Sequence, residues 1–301
     1  MDVYINGSMI PIEKATISVE DAGFQHAVGL FETMFAKNGR IFRLPQHIER
    51  LANSAKNLGL AREINQTALQ NAVKQTVSHN KLTETRLRLT VTAGAISLLK
   101  PPSPGETTTT TLVVPTPPTE YEPAYFVDGI RVVIAPPGAN PFDFTQGHKT
   151  TAYWGRLRTL RQAAAAGAGE AIWLNVTNHL ASGAVSNIFL VKDNTLFTPF
   201  AQGEEVQGAL PAPVLPGITR QAVIELAQER DIEVKRQMLS VEDMLEADEV
   251  FLTNSSWQLL PVSSVEKKSI GQGTAGPVSL QLRQALLELI DSECTADAPD
   301  E

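Results

Sequence analysis

The sequence predicts a mixed α/β (α+β) protein of two domains, and three observations carry that expectation. The chain has 301 residues, 43% of them apolar, which is enough for two separate cores. Segments of strand period alternate with segments of helical period along it. Between Lys100 and Pro123 lie seven prolines, and such a stretch neither continues a helix nor donates to a sheet ladder.

The elements follow in order. Val3 to Ile10 reads as a hairpin around Asn6-Gly7, because Asn-Gly supplies the positive φ angles of a two-residue turn. A second hairpin is centred on Asn38-Gly39, with Leu30 to Phe35 before it and Arg40 to Phe42 after it. Leu44, Ile48, Leu51, Ala55 and Leu58 mark an amphipathic helix that stops at Gly59. A second helix runs from Ile64 to His79, and Thr85 to Gly94 alternates as a half-buried strand. Thr107 to Val114 is a further strand. Pro115 to Pro123 is the expected linker, which gives a smaller first domain of 1–114 and a larger second domain of 124–290. That second domain is expected to hold a strand at Ile130 to Ala135, the Lys149 loop and a helix to about Ala166. A strand pair (Ala171 to Asn175 with Ile188 to Leu190), a helix (Gly217 to Glu229), a strand (Val250 to Thr253) and a last helix (Val278 to Ile290) follow. Residues 291–301 read as an acidic flexible tail.

Charge and composition exclude several classes. A net charge of −8, with scattered basic residues, gives no footprint for nucleic acid or an anionic membrane surface and favours a small-molecule enzyme. The single cysteine, Cys294, leaves no intrachain disulfide and no cysteine metal cluster, so no metal is expected and a reducing compartment fits. No apolar run of roughly 18 residues and no basic-then-apolar leader is visible. A cytoplasmic protein is the expectation.

Five segments carry residue types suited to one site. Asp21-Ala22-Gly23 and Gly29-Leu30-Phe31-Glu32-Thr33 place glycines where backbone approaches a neighbour, and Glu32 inside an apolar strand needs a partner. His47-Ile48-Glu49-Arg50-Leu51 puts His47 and Arg50 on one helix face, where a guanidinium suits bidentate contact to a phosphate. A surface arginine near Glu49 and Asn53 is the plainer reading of that residue. His148-Lys149-Thr150-Thr151-Ala152-Tyr153-Trp154 offers an amine able to join an aldehyde as a Schiff base and then to act as a general base. Leu215-Pro216-Gly217-Ile218-Thr219-Arg220 opens a helix whose free N–H groups suit an anion, as any helix start does. Thr253-Asn254-Ser255-Ser256, after a strand, is both a source of hydroxyls and a good turn.

In this order the five motifs resemble the class IV (fold type IV) pyridoxal-phosphate enzymes, which include branched-chain and D-amino-acid aminotransferases and aminodeoxychorismate lyase. The resemblance runs from Tyr4 to about Val262. It implies a two-domain fold with pyridoxal 5′-phosphate in the interdomain cleft, a small-molecule amino substrate and a homodimer. It makes Lys149 the Schiff-base lysine, gives Arg50, Ile218, Thr219 and Ser255 to the cofactor phosphate, and puts Tyr153 near the phenolic oxygen, where a buried structural tyrosine fits equally well.

One position departs from the pattern. The family's L-x-E-G-x-x-S-N reads Leu180-Ala181-Ser182-Gly183-Ala184-Val185-Ser186-Asn187 here, so Ser182 stands where a glutamate holds a proton on the pyridine nitrogen. A hydroxyl makes the ring a weaker electron sink, which suits elimination better than amino transfer. Arg86 and Arg88, two apart on one strand face, suit substrate carboxylates, with Phe31 and Ser256 as further substrate contacts; pairing with Glu84 is the plainer fate of the arginines. The leading expectation is a lyase that releases pyruvate from 4-amino-4-deoxychorismate to give 4-aminobenzoate. A D-amino-acid or branched-chain aminotransferase is the alternative, and a non-catalytic cofactor-binding homologue the third.

Overall fold

The computed structural model describes residues 1–61, 63–96, 109–136 and 138–295. It divides into two compact units. The first comprises Met1–Thr119, His148–Ala152 and the chain from Ile290. The second comprises Glu120–Gly147 and Tyr153–Leu289.

In the first unit, β1 (Asp2–Ile5), β2 (Ser8–Pro11), β3 (Gly29–Lys37), β4 (Arg40–Ile41), β5 (Thr85–Thr92) and β6 (Thr110–Thr116) form one antiparallel sheet in the order β2-β1-β6-β5-β3-β4. Both Asn-Gly hairpins form, with φ of 46° and 95° at Asn6 and Gly7 and 52° and 77° at Asn38 and Gly39. The short α1 (Ala22–His26) starts on Asp21, whose carboxylate accepts from Gly23 N at 2.7 Å and from Thr92 Oγ1 at 2.8 Å. The Asp21-to-Gly23 motif is thus a helix cap tied to β5. Two longer helices, α2 (Leu44–Asn57) and α3 (Gln66–His79), follow as their periodicity predicts. Ile48, Leu51 and Ala55 of α2 and Leu69, Val73 and Val77 of α3 pack on Leu30, Met34, Leu87, Leu89 and Val91. That packing fixes the strand faces: alternate residues of β5 (Thr85, Leu87, Leu89 and Val91) are buried, while Arg86 and Arg88 lie on the other face.

One sequence expectation shifts in this unit. The strand expected at Thr107 begins at Thr110, with Thr107 and Thr108 outside the described residues, and it runs through Pro115 to Thr116. Pro115 is tolerated because β1 pairs with β6 only at Val113 and Leu112, leaving the proline a ladder partner, Leu87, on one side. The passage to the second unit falls at Thr119–Glu120.

The second unit holds β7 (Ile130–Ile134), α4 (Trp154–Ala165), β8 (Glu170–Leu174), β9 (Leu180–Gly183), β10 (Asn187–Lys192), β11 (Thr195–Thr198), α5 (Ile218–Gln228), β12 (Val234–Arg236), α6 (Val241–Leu245), β13 (Glu249–Asn254), β14 (Gln258–Val265) and β15 (Lys268–Ser269). Its sheet runs β12-β11-β10-β13-β14-β7-β8-β9, with β15 on β14. The β7–β8, β7–β14 and β11–β12 pairs are parallel. The expected pairing of the Ala171 and Ile188 strands does not occur. β8 lies between β7 and β9, and β10 lies between β11 and β13. β9 escaped the period-two reading because all four of its residues are buried, which removes the alternation that marks a half-exposed strand.

The final helix, α7 (Pro277–Glu293), runs past the expected end at Ile290. The start of the expected acidic tail is therefore ordered and tied down: Asp291 pairs with Lys37, and Glu293 Oε1 lies 3.0 Å from Arg43 Nε. Cys294 is buried, its carbonyl accepting from Asn38 Nδ2 at 3.1 Å. Residues 296–301 of the tail lie outside the described residues. Among the described residues no helix is long and apolar enough to cross a membrane, and no cluster of His, Cys, Asp and Glu could hold a metal.

Candidate active site

The lysine motif is held by backbone. Phe31 N donates to Lys149 O at 2.9 Å and Thr151 N to Gly29 O at 2.9 Å, with Leu30 bridged antiparallel to Thr150. His148–Ala152 therefore adds a short strand to the end of β3. Thr151 Oγ1 donates to Ala27 O at 2.7 Å. Gly29 sits in a tight place at this junction, because a Cβ there would lie 3.1 Å from Val91 O and 3.2 Å from Thr151 Oγ1. On the same segment His148 Nδ1 lies 2.9 Å from Ser54 Oγ of α2, and burial pushes its pKa below the ordinary histidine value.

Phe31 organises two cations. The Lys149 amine lies 4.5 Å from its ring centroid and the Arg88 guanidinium carbon 3.7 Å, distances at which a ring attracts a cation. Arg86 behaves differently. It donates to Thr116 Oγ1 at 3.3 Å and Thr119 Oγ1 at 3.4 Å rather than pairing with Glu84.

Glu32 and Arg50, which belong to separate sequence motifs, meet. Arg50 Nε donates to Glu32 Oε1 at 2.8 Å and Nη2 to Oε2, while His47 Nδ1 lies 2.7 Å from Oε2. The carboxylate is fully buried. Burial alone would raise its pKa, yet the Arg50 charge and the His47 bond overcome this and hold it at about 2. Burial also lowers the pKa of His47. An ionised Glu32 can only accept, so His47 carries its proton on Nδ1. Arg50 is therefore oriented by a fixed anion, Glu32.

In the second unit, the loop Ala184–Ser186 is organised by a glutamate that sequence reasoning passed over. Glu170 is buried, and it accepts from Ala171 N (2.9 Å), Ala184 N (3.2 Å), Val185 N (3.1 Å) and Ser186 Oγ (3.0 Å). Burial pushes its pKa up, against those four bonds. Gly183 has no room for a side chain, since a Cβ would come within 2.0 Å of Ser186 Oγ. Asn187 donates to Leu215 O at 2.9 Å and lies against Gly217, the residue before α5. It also faces Thr253 across the β10–β13 ladder. Asn254 donates to Val185 O at 3.2 Å and accepts from Ser256 N at 2.8 Å. These contacts gather the loop 183–187, the Ser255-Ser256 turn and the start of α5, with Ile218 and Thr219, into one neighbourhood. Tyr153 caps α4 and its hydroxyl lies 3.5 Å from Ala184 O.

The residues of this neighbourhood fit an anion. The N-terminus of α5 has neither a side-chain cap nor an acid in its first turn, and Thr253 Oγ1 beside it is buried with no hydrogen-bond partner. Such an orphaned hydroxyl at a helix N-terminus is what a phosphate oxygen satisfies.

A second missed residue is Arg156. Its Nη1 lies 3.2 Å from Ser182 Oγ, so Ser182 is engaged by a cation. One signal was available in the sequence. An arginine in a helical first turn that lacks acids opposes the helix dipole, and so points to a use elsewhere.

A family model described as amino-transferase class IV matches residues 29–265. The chain is 32% identical to the branched-chain-amino-acid aminotransferase of Salmonella typhimurium (strain LT2), over 97% of this chain and 93% of that one. Its structure is similar to that of a T.th. branched-chain amino acid aminotransferase with pyridoxamine 5′-phosphate, with a TM-score of 0.87, 28% identity and coverage of 98% and 95%. It also shares a fold, with a TM-score of 0.79 at 24% identity over 92% and 96%, with a putative 4-amino-4-deoxychorismate lyase from Legionella pneumophila.

Proposed function

The chain belongs to the class IV aminotransferase family, and from that membership we propose that it is a pyridoxal-phosphate-dependent aminotransferase acting on a small α-amino acid of the branched-chain kind. The observation that carries this reading is the placing of the Lys149 amine and the Arg88 guanidinium on the one ring of Phe31. An α-amino acid presents an amine and a carboxylate a few bonds apart; the Lys149 amine in its neutral form offers a matching proton acceptor, and the Arg88 guanidinium a carboxylate receptor.

When bound, pyridoxal 5′-phosphate supplies an electron-withdrawing ring to the carbon bearing the amine. Arg50, preset by Glu32 and His47, and the α5 N-terminus with Thr219, Thr253 and Ser255 would hold its phosphate. Ser182 would face its ring nitrogen, and Tyr153 would stand beside it. Lys149 takes the proton from the substrate α-carbon and returns it. Arg88 fixes the carboxylate so that this carbon meets the amine, with Ser256 as a further substrate contact. Phe31 gives both groups an aromatic neighbour.

A specific observation favours a second reading. Ser182 replaces a carboxylate, and a weaker electron sink suits elimination, as in release of pyruvate from 4-amino-4-deoxychorismate. Association into a homodimer belongs to either reading. Phe142, Phe144 and Trp154 are each more than 70% exposed, apolar surface of the sort an association face uses.

The test loads the protein with the cofactor and presents D- and L-amino acids one at a time, following conversion of the visible band to that of the amine form. Conversion by L-leucine, L-isoleucine or L-valine is expected. Conversion by none, together with formation of 4-aminobenzoate from 4-amino-4-deoxychorismate, overturns the first reading in favour of the second.

A further inference from the structure

Arg156 stands in the first turn of α4, and its Nη1 lies 3.2 Å from Ser182 Oγ, 3.1 Å from Gly183 O and 3.2 Å from Ala184 O. A guanidinium has hydrogens to give and no lone pair to offer, so in this contact the Ser182 hydroxyl accepts. Its own hydrogen must then point away from Arg156.

The guanidinium is fixed as well as charged. Its carbon lies 4.8 Å from the centroid of the Trp173 ring, and Trp173 pairs with Ser182 across the β8–β9 ladder. Trp173 Nε1 donates to Thr159 Oγ1 at 2.8 Å, and that hydroxyl donates to Arg156 O at 3.0 Å. Indole, hydroxyl and two carbonyls hold the cation in one place. Where the related pattern carries a carboxylate, this chain has a buried hydroxyl backed by a permanent positive charge.

We infer that Arg156 is a positioning residue that makes Ser182 a hydrogen-bond donor toward the pyridine nitrogen of the cofactor, so that this nitrogen stays unprotonated in the loaded enzyme. The inference rests on the cofactor reading above. Two effects act in the same direction. The bond accepted from Arg156 turns the Ser182 hydrogen outward, and a nearby cation disfavours a second positive charge on the ring. A carboxylate at the same place would do the opposite on both counts. The bound ring would thereby be a weaker electron sink than one facing a carboxylate.

The test uses holoenzyme loaded with pyridoxal 5′-phosphate carrying nitrogen-15 at the ring position, with its NMR shift followed against pH. The expected signal is that of an unprotonated pyridine throughout the neutral range. Arg156→Met, which keeps an unbranched chain beside Trp173, is expected to raise the apparent pKa of the ring nitrogen by roughly 1 unit, and Arg156→Lys, which keeps the charge, to restore the original signal. Arg156→Met combined with Ser182→Glu is expected to give a protonated ring. A protonated nitrogen in the unsubstituted holoenzyme, or an unchanged titration in Arg156→Met, overturns the inference while leaving cofactor use intact. Absence of any visible band on loading overturns the cofactor reading and the inference with it.

Discussion

Glu32 of β3 and Arg50 of α2 form a bidentate ion pair, Nε to Oε1 at 2.8 Å, with the carboxylate wholly buried. A buried pair of this kind costs desolvation, and removing one partner leaves the other uncompensated. Glu32→Gln is expected to lower the stability of the cofactor-free protein by about 3 kcal/mol and to weaken cofactor binding, because Arg50 loses its orientation. Urea unfolding and cofactor titration read the two effects separately.

The same pair sets a pH dependence. Glu32 titrates at about 2 in the fold, against an ordinary value of 4.5. A depressed carboxylate stabilises the fold above its unfolded value and loses that contribution as pH falls through its folded value. Stability is therefore expected to fall between pH 4.5 and about 2, by about 3 kcal/mol in total from this group. A Glu32→Gln profile as steep as the unsubstituted one over that window contradicts the assignment.

Arg88 lies on the exposed face of β5 against the Phe31 ring, so Arg88→Ala is expected to leave the melting temperature nearly unchanged. It is expected to raise KM for the carboxylate-bearing substrate about tenfold or more, the worth of one charge-assisted contact. Lys149→Ala is expected to abolish both the visible band and turnover. Steady-state kinetics on both variants separate carboxylate binding from proton transfer.

Gly183→Ala places a methyl group within 2.0 Å of Ser186 Oγ and 2.8 Å of Glu170 Oε2. Overpacking there is expected to cost about 1–3 kcal/mol and to loosen the loop that carries Ser182. A thermal melt with a midpoint equal to that of the unsubstituted protein counts against the tight packing of this loop.

Much of the first unit was legible because its signals are local. Asn6-Gly7 and Asn38-Gly39 form their hairpins, and the apolar stripe of α2 gives its length and buried face. What escaped were relations that no short window contains. Glu32 read as a residue needing a partner and Arg50 as a phosphate contact, and only the packing of α2 on β3 shows that the two meet. Glu170 lies just before the expected strand at Ala171, and its role comes from the distant loop at 184–186 that folds over it. Arg156 and Ser182 are joined by the fold across 26 residues, and β9 carried no alternation to announce it.

The strand made by His148–Ala152 bears on how this chain can be cut and made. A fragment ending at Thr119 carries every named strand of the first sheet, yet leaves the backbone of Gly29 and Phe31 without the partners that Thr151 and Lys149 supply. During synthesis the ribosome releases those partners only about 30 residues later, so the nascent sheet waits with a bare border prone to wrong pairing. Dissection of the gene at the proline-rich stretch would give an adhesive fragment, and one deprived of the lysine its own sheet is built to carry.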